Sequence, residues 1–150
     1  MENLILRTDS TNEGFVQLVR LLDAELALFN GEEDAFYVQF NKIAPLKNVV
    51  ILSVDSVPVA CGAFKPYNLE AVEIKRMYVK SDQRRKGYAS IVLQELEHWA
   101  KESGFSSAIL ETGNFLPGTV ALYSKSGYHV IPNFDQYIGV EGSICMKKVL

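Results

Sequence analysis

The sequence predicts an α/β domain: a mixed, mostly antiparallel sheet of about seven strands with helices on both faces. Three observations predict it. Short runs rich in Val, Ile and Leu recur along the chain, separated by polar or glycine-containing breaks. Two stretches repeat apolar residues at three- and four-residue spacing, the period of a helix with one buried side. Between residues 72 and 112 the order is strand, helix, strand, which predicts a right-handed crossover joining parallel strands.

Leu4 to Arg7 reads as a first strand, and Thr8-Asp9-Ser10-Thr11 offers N-caps for the helix that follows. Phe15, Leu18, Val19, Leu22, Leu26 and Phe29 form that helix's apolar stripe, which Gly31 ends. Residues 33–43 predict a second, shorter helix. Val49 to Val54 and Val57 to Lys65 are β-branched runs joined by Asp55-Ser56, the pattern of a tight antiparallel hairpin. Val72 to Val79 is a strand with Glu73, Lys75 and Arg76 embedded in it. The strongest helix runs from Gly87 to Ser103. Its stripe is Ala89, Val92, Leu93, Leu96, Trp99 and Ala100, and Gly104 closes it. Ala108 to Thr112 is a strand. Pro117 to Lys125 is a short helix closed by Gly127, and the strands Tyr128 to Ile131 and Ser143 to Val149 complete the sheet.

The 150 residues predict a single domain over 1–150, and an apolar fraction of 48% with 11% aromatics is enough for one core. A net charge of −3 argues against a general nucleic-acid binder. Cys61 and Cys145 lie far apart in apolar segments, outside any CxxC pair; reduced, buried thiols are expected, and no zinc site. His98 on the polar side of its helix is expected to be solvated, and His129 to be structural; no His or Cys spacing suggests a metal. The N-terminus lacks the layout of a signal peptide, and no apolar run is long enough to span a bilayer, so a cytoplasmic protein without membrane or nucleic-acid partners is expected.

The chemistry concentrates between Arg76 and Ala89. A strand ends near Val79, a polar loop carries Arg84, Arg85 and Lys86, and Gly87 opens the strongest helix. Free N–H groups at a helix start, the helix dipole and three neighbouring cations together make an anion site. Glycine lets a phosphate approach the backbone closely. Neither a GxxxxGK[ST] loop nor a GxGxxG fingerprint is present.

Arg84-Arg85-Lys86-Gly87-Tyr88-Ala89 resembles the R/Q-x-x-G-x-G/A signature of GNAT acetyltransferases. Val72 to Val79 is similar to that family's fourth strand, and Ala121-Leu122-Tyr123-Ser124-Lys125-Ser126-Gly127-Tyr128 to its LYxKxGF/Y segment. The resemblance covers residues 48–148 and implies a β-α-β core that binds coenzyme A. Arg84, Arg85, Lys86, Gly87, Tyr88 and Ala89 would hold the pyrophosphate, and the backbone of Met77, Tyr78 and Val79 the pantetheine arm. It implies direct acetyl transfer from acetyl-CoA to a primary amine in a ternary complex, with no metal. Tyr123 would be the acid that protonates the departing thiolate, and a backbone N–H near Tyr78 or Val79 would stabilise the oxyanion. Family members are often dimers, so a homodimer is expected.

Glu73 is the candidate base, because a carboxylate in an apolar strand costs free energy unless it is paired or used. The alternative is a structural pair with Lys75, Arg76 or another cation, and Glu111 is the reserve base. The family often has Asn seven residues before the tyrosine. Leu116 stands there, with Asn114 two residues earlier as the substitute contact to the cofactor arm or a turn residue. The segment 132–139 and the first two helices are candidates to shape the acceptor pocket through Phe29, Phe36, Tyr37 or Tyr137. The acidic balance favours a small cationic acceptor. A non-catalytic acyl-CoA-binding regulatory module is the competing reading, and O-acyl transfer or a longer acyl donor a third.

Overall fold

The computed structural model describes residues 2–30, 45–114 and 117–150; the helix expected over 33–43, with Phe36 and Tyr37, and Leu116 lie outside them. The described elements are β1 (Asn3–Thr8), α1 (Glu13–Asn30), β2 (Asn48–Val54), β3 (Val57–Pro66), β4 (Ala71–Val79), α2 (Tyr88–Glu102), β5 (Ser107–Gly113), α3 (Pro117–Lys125), β6 (His129–Ile131) and β7 (Ser143–Val149). They form a mixed α/β fold with one seven-stranded sheet in the order β1-β2-β3-β4-β5-β7-β6. The β4–β5 pair is parallel, as the strand–helix–strand order requires, whereas β1–β2, β5–β7 and β6–β7 are antiparallel.

The chain separates into two compact units, Met1–Ala63 with Arg76–Leu96, and Phe64–Lys75 with Glu97–Leu150. In the first, Phe15, Leu18 and Val19 of α1 pack with Leu46, Val49, Ile51, Cys61, Ala63 and Tyr78. The Asp55-Ser56 turn has φ of 50° and 69°, the two left-handed residues of the tight hairpin turn that matches strand twist.

The start of α1 differs from expectation. Its cap is Asn12, whose Oδ1 accepts the Phe15 N–H at 3.1 Å. The upstream candidates are used elsewhere: Asp9 Oδ1 accepts the Thr11 N–H, and the Ser10 hydroxyl accepts the Leu46 N–H. In the second unit Leu110, Met146 and Ala108 are buried, and Phe64 meets Trp99 edge-on at 5.7 Å. Cys61 and Cys145 are free thiols and buried.

Candidate active site

The first unit carries the cationic loop. β4 ends at Val79, a short 3-10 turn covers Ser81–Gln83, and Arg84 to Gly87 lead into α2. Arg84, Arg85, Lys86 and Gly87 are exposed, Tyr88 is buried and Ala89 half-buried. The Gly87 carbonyl accepts the Ile91 N–H at 3.2 Å, so Gly87 is the residue that caps α2. Having no side chain, it offers no oxygen to the first-turn N–H groups of Tyr88, Ala89 and Ser90. Its φ is +82°, and a Cβ built there meets nothing within 4 Å. A bare backbone corner, open space above it and three exposed cations fit a phosphate-bearing group.

Two of the three cations are already oriented. Arg84 Nε donates to the Val79 carbonyl at 3.0 Å and Nη2 to Glu25 Oε2 at 2.8 Å. Its guanidinium lies 5.6 Å from the centre of the Tyr78 ring. Those bonds use two of five N–H groups. The Tyr78 hydroxyl is held above the usual phenol range by burial and then by the charge of Glu25, to which it also hydrogen-bonds. Lys86 Nζ reaches Gln83 Oε1 at 3.1 Å.

Upstream, Arg76 interrupts β4 with φ of 58°, the left-handed region that costs a non-glycine residue energy. Two contacts hold it: Arg76 Nη1 pairs with Asp23 Oδ1 at 2.6 Å, and the Cys61 thiol donates to the Arg76 carbonyl at 3.4 Å. Met77 and Val79 are half-buried and follow this kink. Burial pushes the Cys61 thiol up to about 12, so it is un-ionised at neutral pH.

The second unit carries the carboxylates and the tyrosine. Glu73 pairs in register with Ile109 and Glu111 with Cys145, so strand alternation puts Glu73, Lys75, Glu111, Cys145 and Ser143 on one face of the sheet. The Glu73 side chain is only 6% exposed and sits between two ammonium groups, Lys75 Nζ at 3.6 Å and Lys65 Nζ at 3.8 Å. The structural pair foreseen for Glu73 therefore exists, with Lys65 as its second member. Arg76, also a candidate, is paired with Asp23 instead.

Glu111 is different. Its carboxyl is raised above the ordinary range by burial, against the Ser143 hydrogen bond and the charge of Lys75, with Glu73 adding to the rise. Its Oε2 is buried with no hydrogen-bond partner among the described residues. Tyr123, on α3, is buried and feels the Glu111 charge; burial and then that charge push its hydroxyl well above the usual phenol range. Tyr137 is buried, and the carboxylates of Glu111 and Glu73 add to its upward shift.

Asn114 is exposed; its backbone N–H bonds to the Gly142 carbonyl at 2.9 Å and its Nδ2 to the Glu141 carbonyl at 3.3 Å, tying two loops together. His98 and His129 are exposed. Among the described residues no group of three or more His, Cys, Asp or Glu is arranged to hold a metal ion.

One cluster escaped the sequence reading. Glu97, buried on α2, accepts from the Tyr128 hydroxyl at 2.9 Å and from Lys148 Nζ at 2.9 Å, and the Tyr128 ring meets Tyr123 edge-on at 5.8 Å. The signal was there: Glu97 follows Leu93 by four residues and falls within the α2 apolar stripe.

The sequence model of the Acetyltransferase (GNAT) family matches residues 15–128. The chain belongs to that family. This acetyltransferase is 28% identical over 148 residues to an IAA acetyltransferase of Azospirillum brasilense, covering 97% of each chain. The fold of a solved acyl-CoA N-acyltransferase-type protein from Klebsiella pneumoniae superposes with a TM-score of 0.82 at 24% identity, covering 99% of this chain and 97% of that one. A GNAT acetyltransferase from Elizabethkingia anophelis, solved with acetyl-CoA bound, superposes with a TM-score of 0.70 at 17% identity over 99% and 98% of the two chains. The chain is therefore an acyltransferase by family, and no helix among its described residues is long and apolar enough to cross a membrane.

Proposed function

We propose that this acetyltransferase moves an acetyl group from acetyl-CoA to a primary amine of a small acceptor by direct transfer in a ternary complex. The observation that carries the proposal is the start of α2: an exposed left-handed Gly87 with open space above it, set beside three exposed cations. The bound acetyl-CoA of the Elizabethkingia relative supports the same donor.

Acetyl-CoA supplies the acetyl group as a thioester. The first-turn N–H groups of α2 and the side chains of Arg84, Arg85 and Lys86 bind its pyrophosphate. The backbone of Met77, Tyr78 and Val79 orients the pantetheine arm, with the kink at Arg76 setting the direction of that backbone. Asn114 remains the expected side-chain contact to that arm. Glu73 takes the proton of the attacking amine, and Tyr123 Oη gives its proton to the departing sulfur. A hydroxyl buried this deeply is fully protonated at neutral pH, the state an acid needs.

Thiol release from acetyl-CoA, followed across spermidine, L-lysine, an aminoglycoside and a short peptide with a free amino terminus, tests this. Saturable turnover with one acceptor is expected, and Tyr123→Phe should lower kcat by roughly 100-fold or more. A chain whose melting temperature is unmoved by coenzyme A would refute the donor assignment.

A further inference from the structure

Two acidic residues of α1 reach the strip that binds the donor. Phe15, Val19 and Asp23 are spaced four residues apart, and Leu18, Leu22 and Glu25 four and then three. The lines that pack Phe15, Leu18, Val19 and Leu22 into the core of the first unit therefore run on into two carboxylates. Asp23 Oδ1 holds Arg76 Nη1 at 2.6 Å, at the kink before Met77. Glu25 Oε2 holds Arg84 Nη2 at 2.8 Å, at the start of the cationic loop. One helix thus grips both ends of the segment 76–84, and all of these residues belong to the same unit. Glu25 also accepts from the buried Tyr78 hydroxyl, and the Tyr78 ring lies 5.6 Å from the Arg84 guanidinium.

The consequence lies in the order imposed on Arg84. Its Nε bond to the Val79 carbonyl, at 3.0 Å, closes residues 79–84 into a ring, and Glu25 pins that ring to α1. Among the described residues these bonds use two of its five N–H groups, and the others can meet an anion. The ion pair is part-exposed, 44% for Arg84 and 29% for Glu25, so it adds little to the stability of the fold. What it does is hold a long, flexible side chain in one rotamer before the ligand arrives, so that binding need not order it. Resting on the function proposed above, we propose that Glu25 is a positioning residue for the acetyl donor: it presets Arg84, and with it the loop leading to Gly87, for the pyrophosphate. Its negative charge acts the other way, by repelling an anion, and the variants below separate the two effects.

The test is calorimetric titration of coenzyme A into the full chain, as wild type, Glu25→Gln, Glu25→Asp, Arg84→Met and the Glu25→Gln/Arg84→Met double variant. Thiol release at varied acetyl-CoA runs beside it. Ordering one long side chain on binding costs roughly 2- to 10-fold in affinity, so Glu25→Gln should raise Kd by about 5-fold. Glu25→Asp keeps the charge but is one methylene too short to reach Arg84, and it should lose at least as much. In the Arg84→Met background Glu25→Gln should weaken binding no further, because the group it acts through is gone. At saturating acetyl-CoA, Glu25→Gln should leave kcat within about 2-fold of wild type, the split of a residue that serves binding alone. Unchanged or tighter binding in Glu25→Gln, wild-type affinity in Glu25→Asp, or a further loss in the double variant each overturns the positioning role and leaves the function proposed above standing. A wild type that binds coenzyme A but releases no thiol with any of the four acceptors overturns amine acetylation, while the titrations still decide the role of Glu25. A wild type that does not bind coenzyme A overturns both.

Discussion

Removing the Tyr128 hydroxyl should destabilise the second unit by about 2 kcal/mol. Tyr128 is buried, and its hydroxyl donates to Glu97 Oε2 at 2.9 Å. Hydrogen bonds to charged groups contribute about 1.5–3 kcal/mol net, more than neutral ones. In Tyr128→Phe the Glu97 carboxylate keeps Lys148, at 2.9 Å, so it is not left wholly bare, and the middle of that range applies. For a chain of this length about 2 kcal/mol lowers the melting temperature by about 4–8 °C. The assay is a double-mutant cycle by urea and thermal unfolding with Tyr128→Phe, Glu97→Gln and both. A coupling of about 1–2 kcal/mol is expected. Its pH dependence also has a sign. Burial, then the charge and hydrogen bond of Glu97, hold the Tyr128 hydroxyl far above the usual phenol range. A raised folded value means the contribution is complete below the unfolded phenol value of about 10 and fades only as pH climbs through the folded one. The coupling should be flat between about pH 6 and 9. A coupling below about 0.3 kcal/mol would refute the reasoning. Because Tyr128 meets Tyr123 edge-on, Tyr128→Phe should leave kcat nearly intact, whereas Tyr128→Ala should lower it.

Two glycines give further outcomes. At Gly87 a Cβ meets nothing, so Gly87→Ala adds only left-handed strain of about 1–2 kcal/mol, but it stands where a phosphate would approach; the melting-temperature rise produced by coenzyme A should shrink in differential scanning fluorimetry. At Gly62 an added Cβ collides with Met77 Sδ and comes within 2.8 Å of Leu96 Cδ1 and 3.0 Å of Val92 Cγ1. Gly62→Ala should therefore cost about 1–3 kcal/mol by overpacking, read as a lowered urea midpoint, and an unchanged midpoint would show that these side chains yield freely.

The sequence by itself determined the fold class and the elements seen among the described residues, because both follow from local periodicity and turn chemistry. The Asp55-Ser56 hairpin, the α2 stripe and the glycine at its start all appear where the residues place them. It also determined the family, since the residues from Arg84 to Ala89 and from Ala121 to Tyr128 bear the signatures directly. A hint of the β4 kink was present too: Glu73 and Lys75 keep the strand period of two, and Arg76 breaks it. Tertiary structure decided which charges meet. Glu73 takes Lys65 across a hairpin, Arg76 takes Asp23 from α1, and Arg84 takes Glu25 from the same helix. Those partners are separated by 8 to 59 residues in sequence, and only strand register and helix packing bring them together. The same holds for Glu111. The unpartnered state of its Oε2 depends on what β4 and β7 place around it, and a linear pattern carries no information about a missing hydrogen bond.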